Sequence, residues 1–257
     1  MGSTWVWTVI FALLGAAVGS FLNVCISRIP QGLSVISPSS RCPLCSHPIR
    51  FYDNLPVIGY LLLGGRCRDC GGKIAFRYPL VEILTATLAV ILFLRYGLTP
   101  AYPAVSLFVC TLIVIAFIDL DHQIIPDILT LGGIPIFAVL SVLIMDLSPL
   151  DAFLGIMVGA GILYFVAVYY EALTGREGMG LGDVHLLAMI GAFLGWKSLL
   201  AILLAASLLG TVVGLALMVG SGRGLRSPLP FGPFICAAAV LYLFFADCLA
   251  GTLLAVG

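Results

Sequence analysis

The sequence predicts an all-α, polytopic membrane protein of about eight transmembrane helices. Three observations predict it. Of 257 residues, 61% are hydrophobic and only 9% are charged, where a soluble domain carries roughly 25% charged residues. Mean hydropathy is +1.19. Apolar runs close to the length of a bilayer crossing recur along the chain, at about 4–24, 79–95, 101–118, 128–146, 150–170, 184–196, 198–219 and 231–254. The chain therefore divides into a first transmembrane helix (1–27), a long polar loop (28–78) and a multi-helix membrane domain (79–257).

Each run has its own signature. The first lacks the basic n-region of a cleaved signal, because no Lys or Arg precedes Arg28, and is expected to be a retained helix. The sixth, at 184–196, is short and follows a Gly-rich loop, which suits a tilted or broken segment. Basic residues set the orientation. Arg28, Arg41, Arg50, Arg66, Arg68, Lys73 and Arg77 fall between runs one and two, Arg176 between five and six, and Arg223 and Arg226 between seven and eight. Only Arg95 and Lys197 remain for the opposite side. With eight spans this asymmetry puts the long first loop in the cytoplasm and both termini outside. The formal net charge is zero, so the total says nothing about partners.

The loop carries Cys42-Pro43-Leu44-Cys45 and Cys67-Arg68-Asp69-Cys70, two C-x-x-C turns separated by 21 residues. Each tight turn pairs two thiolates, and two turns make a tetrahedral set for Zn²⁺. The alternatives are two disulfides, which a reducing compartment disfavours, or four free thiols. Gly64, Gly65, Gly71 and Gly72 flank the second turn and supply tight backbone. Four protein ligands leave no open position, so the expected metal is structural, a staple for a loop with little core. His47 is a conceivable substitute ligand. Cys25, Cys110, Cys236 and Cys248 stand singly in helices and read as small packing residues.

Acidic residues at the membrane boundary are the second anomaly, since a charge in the bilayer is costly and marks a candidate functional site. Asp119 follows eighteen uncharged residues and opens Asp119-Leu120-Asp121-His122-Gln123-Ile124-Ile125-Pro126-Asp127. Asp183 ends Gly178-Met179-Gly180-Leu181-Gly182-Asp183 and begins the sixth run. The topology puts both on the same side at the same depth. Two neighbouring carboxyls cannot both ionise easily, so one keeps a proton and the other takes one from water. That is general acid–base hydrolysis. Helix capping accounts equally well for Asp183, and for Asp127 after Pro126, but not for Asp119 at a helix C-terminus, where the dipole opposes it. Proton- or ion-coupled transport through the same carboxylates is the alternative these residues leave open.

At these positions the chain resembles the prepilin peptidase family, the bifunctional leader peptidases and N-methyltransferases of type IV pili and type II secretion. The resemblance rests on Gly19-Ser20-Phe21-Leu22-Asn23-Val24 with Arg28-Ile29-Pro30, the two Cys pairs, Asp53-Asn54-Leu55-Pro56, Gly65-Arg66-Cys67 and Arg77-Tyr78-Pro79-Leu80-Val81-Glu82. It is completed by the Asp119 segment and by Gly180-Leu181-Gly182-Asp183, a G-x-G-D signature. It spans about 20 to 195 in the right order; the last two runs add only hydrophobicity.

The resemblance implies an intramembrane aspartyl protease of the bacterial inner membrane, with its active site at the cytoplasmic side. Asp119 and Asp183 would be catalytic, with Asp121 and Asp127 supporting or structural. The substrates would be prepilins or pseudopilins, cut after a Gly. The new amino terminus would be methylated from S-adenosylmethionine. Lipid surrounds such a protein, and no nucleic acid is expected. The loop 28–78 would be the methyltransferase-associated region, with Gly65, Arg66 and Glu82 as candidate cofactor contacts. For Gly65 and Arg66, turn geometry and ordinary basic-loop charge compete with that role. For Glu82, a buried pair with Arg77 or Lys73 competes. One departure stands out: the family usually has Lys two positions after the second aspartate, and this chain has His185.

Overall fold

The computed structural model describes residues 2–175, 180–221 and 229–254. Arg176, Arg223 and Arg226 of the charge asymmetry, and Gly178 and Met179 before the second acidic motif, lie outside the described residues, as does the side chain of Cys248. Every apolar run is helical, and the described residues contain helices and no strand. In chain order the helices are α1 (Gly2–Arg28), α2 (Ile58–Leu62), α3 (Arg77–Tyr96), α4 (Ala101–His122) and α5 (Asp127–Ile144). They continue with α6 (Pro149–Thr174), α7 (Leu181–Leu194), α8 (Trp196–Ser221) and α9 (Gly232–Leu254).

The expected eight crossings are not all confirmed among the described residues. Among the described residues, six helices are long and apolar enough to cross a membrane: α1, α3, α4, α5, α6 and α8. The stretches Leu181–Leu194 and Gly232–Ala246 are shorter apolar helices. A helix rises about 1.5 Å per residue, so the 14 residues of α7 extend well short of a hydrocarbon core about 30 Å thick. Hydropathy measures apolarity and not length across lipid, which is why the sequence counted this helix as a span.

The chain forms two compact units, Met1–Val114 and Ile115–Gly257, with the division inside α4. In the first, α1 packs along α3. A Cβ added at Gly15 would lie 2.7 Å from the Ala89 Cβ, and one added at Gly19 would lie 2.7 Å from the Glu82 Cα. Gly15 and Gly19 are thus a small-xxx-small pair that lets the two backbones approach closely. The Asn23 amide donates to the Tyr78 carbonyl at 3.0 Å, and Phe11 stacks on Phe93 with centroids 4.4 Å apart. These contacts account for the Gly19–Asn23 motif and for Arg77–Glu82. After α1, the Arg28 guanidinium donates to the carbonyls of Ser34 (2.9 Å) and Pro38 (2.7 Å), folding the start of the polar loop back on the helix end.

In the second unit α7 is the centre. Val184 and every residue from Leu186 to Phe193 are buried, as expected of a helix apolar on all sides. Here α5, α6, α8 and α9 pack against it. Gly155 and Gly159 of α6 lie against the α7 backbone at Gly191 and Leu187, where a Cβ would collide with main-chain atoms. The buried Ser141 hydroxyl of α5 donates to the Ala192 carbonyl of α7 at 2.9 Å. By contrast, Leu200, Leu204 and Leu208 of α8 are exposed four residues apart, a row on one helix face suited to lipid.

Candidate active site and metal centre

The polar loop belongs to the first unit and contains the four-cysteine cluster. Its two turns repeat one hydrogen-bond pattern. The Cys42 N–H donates to the His47 carbonyl (2.9 Å) and Ser46 N–H to the Cys42 carbonyl (2.8 Å). Likewise Cys67 N–H donates to the Gly72 carbonyl (2.8 Å) and Gly71 N–H to the Cys67 carbonyl (2.9 Å). Ser46 and Gly71 occupy matching positions with φ of +59° and +68°, the left-handed region glycine favours. An isolated bridge closes each turn, Arg41 with Pro48 and Arg66 with Lys73. The two turns bring the Sγ atoms of Cys42, Cys45, Cys67 and Cys70 within 4.8 Å of one another, and those of Cys42 and Cys70 are 3.8 Å apart. Tetrahedral Zn²⁺ with Zn–S distances of about 2.3 Å requires sulfurs close to that spacing.

The thiols are mutually perturbed. Backbone N–H groups of Cys45 and Leu44 draw the Cys42 thiol down to about 7. Despite the His47 backbone hydrogen bond, burial and the surrounding thiols push Cys45 up to about 12. The Cys42 thiolate forms readily while Cys45 and Cys70 resist ionisation, a conflict a divalent cation reverses. Beside the cluster, the Arg68 guanidinium grips Asp53 through Nε (2.9 Å) and Nη2 (2.6 Å), which holds the Asp53 carboxyl below its ordinary range. This pair ties the Asp53–Pro56 segment to the second turn.

The proposed cofactor residues have local tasks. Gly65 takes φ +69°, and its N–H donates to the Tyr60 carbonyl at 2.9 Å. Arg66 forms the bridge with Lys73. Glu82 is buried in α3, where its Oε2 accepts the Val57 N–H at 2.7 Å and the carboxylate also engages Ser20. Glu82 therefore holds the N-cap residue of the short helix α2, Val57, and Gly65 the carbonyl of its middle residue, Tyr60.

The second unit holds the acidic site. Asp119 lies in the last turn of α4 and is 5% exposed. Gln123, at φ +55°, ends that helix with its N–H on the Asp119 carbonyl (2.9 Å). The chain then runs through Ile124-Ile125-Pro126 to start α5. Asp183 sits in the first turn of α7, after Gly180 at the N-cap, and its N–H donates to the Gly180 carbonyl at 3.3 Å. A Cβ at Gly182 would be 2.8 Å from the Ile125 Cβ, so only glycine lets this helix start against the 124–126 segment.

Both carboxyls line one open cavity of about 470 Å³, together with residues 123–125, 180–182 and 229–231. The Asp119 charge acts directly on Asp183, and both act on Cys236 of α9. Among the described residues, the buried Asp183 Oδ1 has no hydrogen-bond partner. Capping, the plainest alternative for this residue, leaves that oxygen unexplained.

The other acidic candidates separate from this pair. Asp121 is exposed and does not line the cavity. Asp127 lines it but is 65% exposed, and its Oδ1 lies 2.9 Å from the His185 Nδ1. His185, which stands where the family usually has Lys, thus pairs with Asp127; an Nδ1–H tautomer makes that bond without a positive charge. His122 is exposed. One participant was missed in the sequence. The α9 N-terminus supplies the Gly232 backbone hydrogen bond to the Asp119 carboxylate, although the last two runs read as hydrophobicity alone. The signal was present as Pro230-Phe231-Gly232-Pro233, a turn signal opening an apolar run.

Two family models match the chain: the bacterial Peptidase A24 N-terminal domain over residues 13–96, and the type IV leader peptidase family over residues 106–215. Relatives named prepilin leader peptidase/N-methyltransferase align along most of its length. The protein from Aeromonas salmonicida (strain A449) is 36% identical over 278 residues, covering 96% of this chain and 93% of the relative. That from Pseudomonas aeruginosa is 36% identical, covering 91% and 89%. That from Myxococcus xanthus (strain DK1622) is 41% identical, covering 84% and 65%. No solved structure matches. An alignment that runs almost end to end, and takes in both the thiol cluster and the carboxylate pair, establishes that this chain belongs to the type IV leader peptidase family.

Proposed function

We propose that the protein removes the leader of prepilins or pseudopilins by aspartyl hydrolysis and methylates the new amino terminus. The family places it among the leader peptidases. The observation that carries the hydrolytic mechanism is the pairing of a buried Asp119 with Asp183 on one cavity. In that mechanism one carboxylate accepts a proton from water as the water oxygen bonds to the scissile carbonyl carbon. The other carboxyl gives its proton to the carbonyl oxygen. Collapse of the tetrahedral diol breaks the C–N bond and delivers a proton to the leaving amine, returning the pair to its single shared proton. Cleavage needs no covalent enzyme intermediate. A pilin helix stays in lipid while its extended leader enters the cavity from the polar side, which this reading takes to be the cytoplasmic side of the inner membrane.

Cys42, Cys45, Cys67 and Cys70 would hold a zinc ion that staples the loop; its closed set of thiolates suits structure and not chemistry. S-adenosylmethionine would supply the methyl group. Gly65, Arg66 and Glu82, grouped around α2, remain the candidate contacts for it. The carboxylates do not need a transport role to explain them, since the pair shares one cavity with a glycine-lined approach. The decisive experiment is mass spectrometry of a model prepilin incubated with the purified enzyme, with and without S-adenosylmethionine. Cleavage after the Gly in both cases, and a gain of one methyl only with the donor, is expected. An intact substrate would remove the peptidase reading, and a cut but unmethylated product would remove the second activity.

A further inference from the structure

We infer that the backbone N–H of Gly232, at the first position of α9, holds Asp119 as the ionised member of the pair and leaves Asp183 to carry the shared proton. The inference rests on the aspartyl-protease reading and deepens it by giving the two carboxyls different tasks. The environments of the two carboxyls differ. Asp119 accepts the Gly232 N–H, a donor that the first turn of a helix leaves unused. That end of α9 also carries the partial positive charge of the helix dipole. Asp183 occupies the first turn of α7, but its Oδ1 is buried with no donor against it among the described residues. An ionised oxygen without a donor is the costlier of the two to keep, so the negative charge settles on Asp119 and the proton on Asp183.

The local sequence is built for this contact. A Cβ at position 232 would be 2.6 Å from the Asp119 Oδ2 and 3.0 Å from the Ile125 Cδ1. Only glycine therefore brings its N–H to the carboxylate without displacing it. Pro233 follows and has no N–H of its own, while the N–H groups of Phe234 and Ile235 turn back to the Phe231 carbonyl at 3.1 and 3.2 Å. The Gly232 N–H is left as the donor for Asp119. Leu229, Pro230 and Phe231 line the cavity, whereas Gly232 does not. It is a positioning residue, acting on substrate only through Asp119. In the hydrolytic step Asp119 takes the proton of the attacking water, and Asp183 donates its proton to the carbonyl oxygen.

The test uses full-length enzyme in detergent with a model prepilin. Replacing Gly232 by glycolate through nonsense suppression turns the amide into an ester, removing the N–H and adding no atom. A hydrogen bond to a charged group lost in this way predicts a kcat fall of roughly ten- to hundredfold. KM stays unchanged, and the acid limb of the kcat profile moves to higher pH, because the carboxylate has lost a donor that favoured its charge. Gly232→Ala should lower kcat further by displacing Asp119. Gly161→Ala, at a position with open space around it, should match wild type. An ester variant with wild-type kcat and an unmoved acid limb overturns the inference while leaving the Asp119/Asp183 reading intact. If instead Asp119→Asn cleaves normally, the reading itself fails.

Discussion

Asp183→Asn separates a catalytic aspartate from a structural one, because the two roles predict opposite effects on stability. Asn has nearly the shape of Asp, so the first turn of α7 and its fit at Gly182 against Ile125 are preserved. Loss of a general acid or base costs typically about a hundred- to ten-thousandfold in rate. Stability should move the other way. The native carboxyl lies beside the Asp119 charge, with its Oδ1 buried and without a partner among the described residues. Keeping such a group in the fold, whether by holding a proton or by stranding a charge, destabilises it by about 1–3 kcal/mol. Asn removes the ionisable group, and at about 2–4 °C per kcal/mol for a chain near this size the midpoint should rise by roughly 2–12 °C. Leader removal is read on a gel or by mass spectrometry, and unfolding by a thermal scan in the same detergent. A gain in stability with loss of activity is the mark of a strained functional group. If the variant loses both together, Asp183 is a structural residue; if it cleaves normally, it has no part in the chemistry.

Three further outcomes are expected. Purified protein should contain about one zinc per chain, bound by the four thiolates, and metal-free protein with four titratable thiols would dismiss the staple. Ser141→Ala removes the hydroxyl bond between α5 and the Ala192 carbonyl, and should lower thermal stability by about 1 kcal/mol with kcat unchanged; a fall in kcat at full stability would contradict the packing role. Asp53→Asn should loosen the polar loop to limited proteolysis at neutral pH. The Arg68 pair holds the Asp53 value below its ordinary 3.8, so its contribution is complete above that value and fades as pH falls through the folded one. The difference between wild type and variant should therefore vanish in strong acid, and a difference that persists there would show that charge is not the cause.

Much of the architecture was legible because it depends on local rules. An apolar run of 18 or more residues has few alternatives to a helix, and all eight runs are helical. Two C-x-x-C turns define their own geometry, and the thiols converge as the spacing implied. The carboxylates at 119 and 183 stood out because charge is scarce beside membrane helices, and the structure sets both on one cavity. The expected number of crossings is confirmed only in part. α7 has the composition of a span, yet its burial on all sides comes from the helices packed around it. Glu82 was equally opaque. A buried acid invites a cationic partner, and the groups it meets are instead the Val57 N–H and Ser20, which no pattern in the chain announces.

The sequence by itself determined the solvent, the helices, the four-cysteine cluster and the identity of two suspicious carboxyls, because composition, periodicity and short-range turn chemistry act within a few residues. Only the tertiary structure decided which acids share a cavity, that Asp121 and His122 stand outside it, that His185 pairs with Asp127, and that Gly232 donates to Asp119. Those contacts join residues more than fifty positions apart, through glycines whose lack of a side chain matters only once another helix lies against them. Close approach is a property of two surfaces, and a single chain written in one dimension records each surface without its partner.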